Sequence, residues 1–192
     1  MVYETIDKKF PSFSATLKNE QQVLVREATI QDAADFIRCV KRYIEESEFM
    51  VMEADEFAPD IRQGREFIQS FTESDNSLLI VAIHNDRIIG NLDITGGRRV
   101  RLRHTGLVGL GMLPEYQKLG LGTILLKGGI DWARKNPVLE KLWLQIVAAN
   151  EGAVTLYEKM GFVEEGRQKG FIKSGINTYY DNLLMAMPLR RP

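Results

Sequence analysis

Two stretches of this chain carry residue types whose spacing can do chemistry. The first is Gln117-Lys118-Leu119-Gly120-Leu121-Gly122. It follows an apolar, glycine-rich run from Thr105 to Leu113 and precedes apolar residues at helical spacing, Leu121, Ile124, Leu125, Ile130 and Ala133. A strand, a glycine-rich turn and a helix in that order form a device for holding phosphate. Amides left unpaired at the helix start point at the anion, the helix dipole favours its charge, and Gly120 and Gly122 keep side chains out of its way. Neither GxGxxG nor GxxxxGK[ST] is present, so an ordinary strand-to-helix turn is the other reading. The second stretch opens at Asn150, which either caps a helix or contacts a ligand. Tyr157 stands seven residues on, two helical turns, and so shares its face.

QKLGLG resembles the Q/R-x-x-G-x-G/A acyl-CoA signature of the GNAT family of N-acetyltransferases. Asn150-Glu151-Gly152-Ala153 leading to Leu156-Tyr157, and then Gly161-Phe162, are similar to the family's next motif, and the likeness runs over roughly residues 23 to 188. The resemblance implies acetyl-CoA as cofactor. Its contacts would be Met112, Leu113, Gln117, Lys118, Leu119, Gly120, Leu121, Gly122 and Thr123, with Asn150 on the pantetheine arm. A splayed core strand would receive that arm. It also implies Tyr157 as the acid beside the cofactor sulfur, against the alternative of a phenol merely packed on the sheet. The run Phe162 to Arg167 and Tyr180-Asp181 through Met185 resembles the ribosomal-protein N-acetyltransferase branch.

Acetyl transfer from a thioester to an amine needs a donor for the developing oxyanion, a neutral amine and a protonated leaving thiol. A backbone N–H near Met112 is expected to be the first. For the base, the branch often shows H-x-x-E entering the core strand. Here the run is His104-Thr105-Gly106-Leu107, and Leu107 stands at the glutamate position. An imidazole is a general acid–base group, so His104 can serve instead, or it can simply cap the strand. The expected function is an acetyl-CoA-dependent N-acetyltransferase acting on a primary amine of a small molecule or peptide. A non-catalytic acyl-CoA-binding or sensing module, working through a protein partner, is the alternative.

The elements that must position these residues follow from periodicity. Gln22 to Ala28 reads as a strand. Ala33, Phe36, Ile37 and Val40 form a helical stripe capped at Thr29 or Asp32, and a second helix follows Pro59. Asn76–Ile83 and Ile88–Thr95 read as a hairpin about Asn85-Asp86-Arg87. Lys141–Ala148 alternates as a strand, Gly161 suits a left-handed helix cap, residues 162–166 and 171–172 read as one further strand or a strand pair, and 177–187 as a last strand. The pattern is α+β: a mixed, mostly antiparallel sheet of about seven strands flanked by about four helices. Residues 1–20 read as an arm of uncertain order and 21–192 as one domain.

Composition excludes several other classes. The chain has 192 residues, 44% hydrophobic and 27% charged, with net charge −1. That balance gives no bulk attraction to nucleic acid or membrane. Arg98, Arg99, Arg101 and Arg103 lack interleaved aromatics and read as a solvated hairpin tip. One cysteine, Cys39, suits a buried helix position and a reducing, cytoplasmic setting, and with two distant histidines no metal site is expected. Glu45, Glu46, Glu48 and Glu53 flank Phe49-Met50-Val51-Met52. They read either as a solvated helix end or as an acidic mouth for a cationic amine. A homodimer through edge strands agrees with the resemblance.

Overall fold

Hydrophobic alternation carries most of the chain into one sheet. In the computed structural model, which describes residues 9–53 and 55–189, the strands are β1 (Phe13–Thr16), β2 (Gln22–Glu27), β3 (Leu78–His84), β4 (Arg87–Gly96), β5 (Thr105–Met112), β6 (Lys141–Val147), β7 (Val163–Lys173) and β8 (Tyr179–Pro188). They form an eight-stranded sheet in the order β1-β2-β3-β4-β5-β6-β8-β7. Only β5 and β6 run parallel. Four helices flank it: α1 (Ala33–Glu45), α2 (Ile61–Thr72), α3 (Leu121–Lys135) and α4 (Glu151–Lys159). No helix among the described residues is long and apolar enough to cross a membrane.

Local chemistry sets the boundaries. Asp32 accepts two Arg26 hydrogen bonds, each 2.7 Å, and anchors the entry to α1 on β2. Asp60 and Gln63 cap α2 reciprocally, Asp60 accepting the Gln63 amide at 2.7 Å and Gln63 the Asp60 amide at 2.8 Å. Asn85 and Asp86, with φ of 48° and 58°, turn β3 into β4.

One element differs from the sequence reading, and an alternative it left open, one strand or a pair after Gly161, is decided. Residues 1–8 of the expected arm lie outside the described residues, but Phe13–Thr16 pairs with β2, because Phe10 and Leu17 are buried on either side of it. Residues 163–173 form one long strand. Its register against β8 shifts between Glu164 and Gly166 and again between Gln168 and Ile172, which breaks the alternation that marks a strand in sequence.

The two faces of the sheet are occupied differently. Helix α3 lies on the face presenting Leu92: a Cβ at Gly129 would meet Leu92 at 2.6 Å. Helix α1 covers the other face, Tyr43 lying over Gly111, where a Cβ would come within 2.3 Å of its ring. Helix α2 docks on α1 through Gly64, against Ile37.

Candidate functional site

β5 pairs with β4 from Gly96/Gly106 to Gly90/Met112, but with β6 only over Thr105–Leu107 against Lys141–Trp143. Beyond Leu107 the two parallel strands part, while β6 stays bonded to β8 through Val147. The Leu113 amide donates to Ile89 O at 2.9 Å. By antiparallel alternation, the amides of Met112, Leu110 and Val108 therefore point away from β4; Val108 adjoins the last β5–β6 pair, and those of Leu110 and Met112 face the gap.

The wide end of the gap meets the start of α3. Lys118 and Gly120 adopt left-handed conformations, with φ of 59° and 93°. The first intrahelical bond is Ile124 N–H to Gly120 O, and no side chain caps the helix, so the Leu121, Gly122 and Thr123 amides have no helical acceptor. A Cβ at Gly120 would face open space, whereas one at Gly122 would strike Leu156 at 2.9 Å and Met112 at 3.1 Å. Gly120 thus keeps a cradle open and Gly122 serves packing, a division that the sequence reading, which gave both glycines one role, did not make. Lys18 N–H bonds Leu119 O at 3.0 Å and ties the loop to the segment after β1. Free amides around an open left-handed glycine at a helix N-terminus fit a pyrophosphate.

Across the sheet, on the α1 face, Gly109 and Gly111 leave β5 without side chains. Their partners on β4 are Asp93 and Asn91. Tyr43 donates to Asn91 Oδ1 at 3.2 Å, and both are buried. Asp93 Oδ1 lies 2.5 Å from where a Gly109 Cβ would be. Among the described residues Asp93 has no ion-pair partner, and its only side-chain bond is a long one from Thr95 Oγ1, 3.5 Å. Burial pushes its carboxyl up to about 6, against the weaker pull of the Thr95 bond. A cavity of about 520 Å³ opens over it between α1, α2 and the segment before α2, walled by Phe36, Ile37, Val40, Phe57 and Phe67.

Of the expected site residues, Met112, Leu113 and Gln117 to Thr123 come together along the gap and its mouth. Tyr157 is buried on α4, edge-on to Phe162 with ring centroids 5.5 Å apart. Burial and then the charge of Asp93 raise its phenol well above the usual value, so it stays protonated. Asn150 Oδ1 accepts the Ala153 amide at 3.2 Å as a helix cap, leaving its NH₂ for a further contact. His104 stands exposed at the entry of β5, where its carbonyl accepts the Glu140 and Lys141 amides. That places it eight residues, roughly 25 Å, along the strand from Met112. The arginine-rich segment lies at this same far end, away from the α3 loop, and Arg103 pairs with Asp75. Of the four carboxylates of the expected acidic mouth, Glu48 and Glu53 have no ion pair among the described residues and two are paired. Glu45 pairs with Lys41 at 3.8 Å and Glu46 with Arg42 at 3.0 Å, all four largely exposed. Cys39 is buried on α1 and its thiol is pushed up to about 12 by desolvation, which leaves it unreactive. Sequence reasoning missed Asp93. The available signal was an aspartate inside an otherwise apolar strand, Ile88-Ile89-Gly90-Asn91-Leu92-Asp93-Ile94.

Residues 42–162 match the acetyltransferase (GNAT) family. Among curated proteins, the chain is similar to the [ribosomal protein bS18]-alanine N-acetyltransferase of Escherichia coli (strain K12), 34% identical over 91 residues. The match covers 47% of this chain and 60% of that protein, so the chain spans about three-fifths of the curated relative's length. Among solved structures, a GNAT-family acetyltransferase from Streptococcus pneumoniae superposes with a TM-score of 0.82 at 32% identity, covering 86% of this chain and 98% of that one. A phosphinothricin acetyltransferase from Sinorhizobium meliloti, solved in complex with acetyl-CoA, shares the fold with a TM-score of 0.75 at 18% identity over 86% of this chain and 88% of its own.

Asp93 carries a stability cost with a definite sign. Its carboxyl titrates near 6 in the fold against an ordinary 3.8. Its stabilising contribution is therefore complete below pH 3.8 and lost as pH rises through 6. Asp93→Asn should raise stability at pH 7.5 by about 1–3 kcal/mol, and the gain should fade toward pH 4. Thermal melts of both proteins across that range measure it.

Proposed function

This chain belongs to the acetyltransferase (GNAT) family, and from that premise we propose that it is an acetyl-CoA-dependent N-acetyltransferase acting on a primary amine. The observation that carries the reading is the α3 amide cradle at the wide end of the gap between β5 and β6, which suits an anionic, elongated ligand. The walled cavity over Asp93, on the α1 face of β4, is our reading of where a small molecule enters.

When bound, acetyl-CoA supplies an acetyl group activated as a thioester. The chain's own groups do the rest. The Leu121, Gly122 and Thr123 amides, with Gly120 and Lys118 turning the loop, hold the pyrophosphate. Gln117, Leu119 and Leu113 shape the mouth. The NH₂ of Asn150, whose Oδ1 is taken by the Ala153 amide, would hold the pantetheine arm. In the gap, the amides of Met112 and Leu110 are fixed donors where negative charge develops on a carbonyl oxygen. Because they are part of a strand, they need no reorganisation to act. Tyr157 Oη holds its proton at neutral pH and gives it at the sulfur side of the gap. A phenol raised by burial stays protonated until a strong base forms beside it.

The decisive experiment is thiol release from acetyl-CoA against a panel of monoamines, polyamines, amino acids and peptide N-termini. Release that depends on an amine supports the proposal. Tight acetyl-CoA binding with no release from any amine would return the chain to a binding-only module. Two variants test the parts. Gly120→Val should weaken acetyl-CoA binding at least tenfold by calorimetry, since the new side chain enters the open cradle. Its folding cost should be only the ~1–2 kcal/mol of a left-handed β-carbon. Tyr157→Phe should lower kcat roughly 100-fold while acetyl-CoA affinity stays within about threefold.

A further inference from the structure

The cavity over β4 goes beyond a place for some amine: its walls and the carboxylate at its floor define which amine and how that amine is deprotonated. On the wall side, Phe36 and Phe67 stack with centroids 5.8 Å apart, and Phe67 meets Phe71 edge-on at 5.0 Å. With Val40 and Phe57 they make the cavity apolar over most of its surface. At its floor stands Asp93, beside the position where β5 and β6 part. Gly109 lies opposite it, two residues past the last β5–β6 pair, and supplies the room its carboxylate occupies.

Resting on the acetyltransferase reading above, we propose that the acceptor is a small primary amine bearing an aromatic or branched aliphatic group and no second cation. We further propose that Asp93 takes the proton from its nitrogen. The bound ammonium gives one proton to Asp93 Oδ, which becomes a neutral carboxylic acid, and keeps the lone pair on nitrogen. That pair forms the C–N bond to the acetyl carbon as the C–S bond breaks, and the sulfur takes the Tyr157 proton. The second proton then passes from the nitrogen to the Tyr157 phenolate, leaving a neutral amide, a free thiol and a protonated Asp93 that returns its proton to solvent.

The surroundings favour this transfer. Apolar walls disfavour the ammonium ion and so bring its pKa down toward that of the carboxylate. The groups facing Asp93 are few. Tyr43 from α1 and Tyr157 from α4 are phenols held protonated, their own pKa values raised by its charge after desolvation. β4 offers Thr95 and Asn91, and β5 offers glycine. Glu56, before α2, is the other carboxylate on the cavity lining. No cation competes for Asp93 among the described residues. A polyamine gains little here: Glu56 is exposed, so water weakens its hold on a second charge, and Glu45 and Glu46 already pair with Lys41 and Arg42.

The test compares phenethylamine, a tetrapeptide with N-terminal Phe, spermidine and glycinamide as acceptors for wild type, Asp93→Asn and Phe67→Ser. Phe67 is 45% exposed, so its replacement leaves the core intact. We expect kcat/KM for phenethylamine or the Phe peptide to exceed that for spermidine and glycinamide at least tenfold. Which of the first two is faster tells a free amine from a peptide N-terminus. Phe67→Ser should raise KM for the aromatic acceptor about tenfold and leave glycinamide unchanged. At saturating amine, wild-type kcat should rise through one ionisation near pH 6. Asp93→Asn should lack that limb and fall at least 100-fold at pH 7.5. Without acetyl-CoA, calorimetry should show phenethylamine binding more tightly at pH 7.5 than at pH 5 for wild type, and equally at both for Asp93→Asn. Faster turnover of spermidine, or an Asp93→Asn enzyme that keeps its kcat and its acid limb, overturns this inference alone. Absence of turnover with every amine overturns the acetyltransferase reading and this inference together.

Discussion

The parting of β5 from β6 is the constraint on which the rest of the molecule depends. Each strand is fully bonded on its outer side, β5 to β4 and β6 to β8, so neither needs the other for its hydrogen bonds. They are held together only at their entry, where three residue pairs and the His104 carbonyl, accepting the Glu140 and Lys141 amides, act as a hinge pin. Beyond it, a row of strand amides faces an open wedge. Buried and unpartnered, such groups would cost about 1–3 kcal/mol each. Facing a cleft, they are instead available to a ligand. Helix α3 leaves β5 at the wide end, so its free first turn opens onto the same wedge.

What was legible in the sequence was whatever is local. The loop from Gln117 to Gly122, the cap at Asn150, the left-handed Gly161 and the β3–β4 turn are all read from neighbours within a few residues. Non-local facts were hidden. Gly109 and Gly111 look like ordinary glycines of a buried strand until the register sets them against Asp93 and Asn91. Their function is to lack side chains where β4 has polar ones. Asp60 and Gln63, three residues apart, form a cap that is legible locally beside Pro59. The two register shifts in β7 erase its period of two, so the sequence leaves one strand or a pair open there.

The site is also where the fold gives up stability. Asp93 is ionised at neutral pH in surroundings that resist its charge, and two tyrosines are buried beside it. A left-handed non-glycine residue, Lys118, adds local strain at the loop. Elsewhere local chemistry and tertiary contacts agree: capped helices, a glycine at each close helix contact, and an apolar core on both faces. Disagreement confined to one path through the molecule is the pattern that function leaves on a fold.

Charge number and charge position make different demands on a ligand. The carboxylates near the end of α1 are numerous, but they sit in water, Glu45 and Glu46 are paired at helical spacing, and salt screens what remains of their field. Their contribution to choosing a cation is small whatever their count. Asp93 is one group, but around it the medium is protein, and a charge there interacts several times more strongly with whatever enters the cavity. Selectivity follows the interior group and the aromatic walls that exclude water from it. The surface acids serve instead to fix α1: Arg42 bridges Glu46 and, through two bonds of 2.8 and 3.1 Å, Glu115 after β5. That bridge holds the helix carrying Tyr43 and Val40 against the strand whose glycines the site requires.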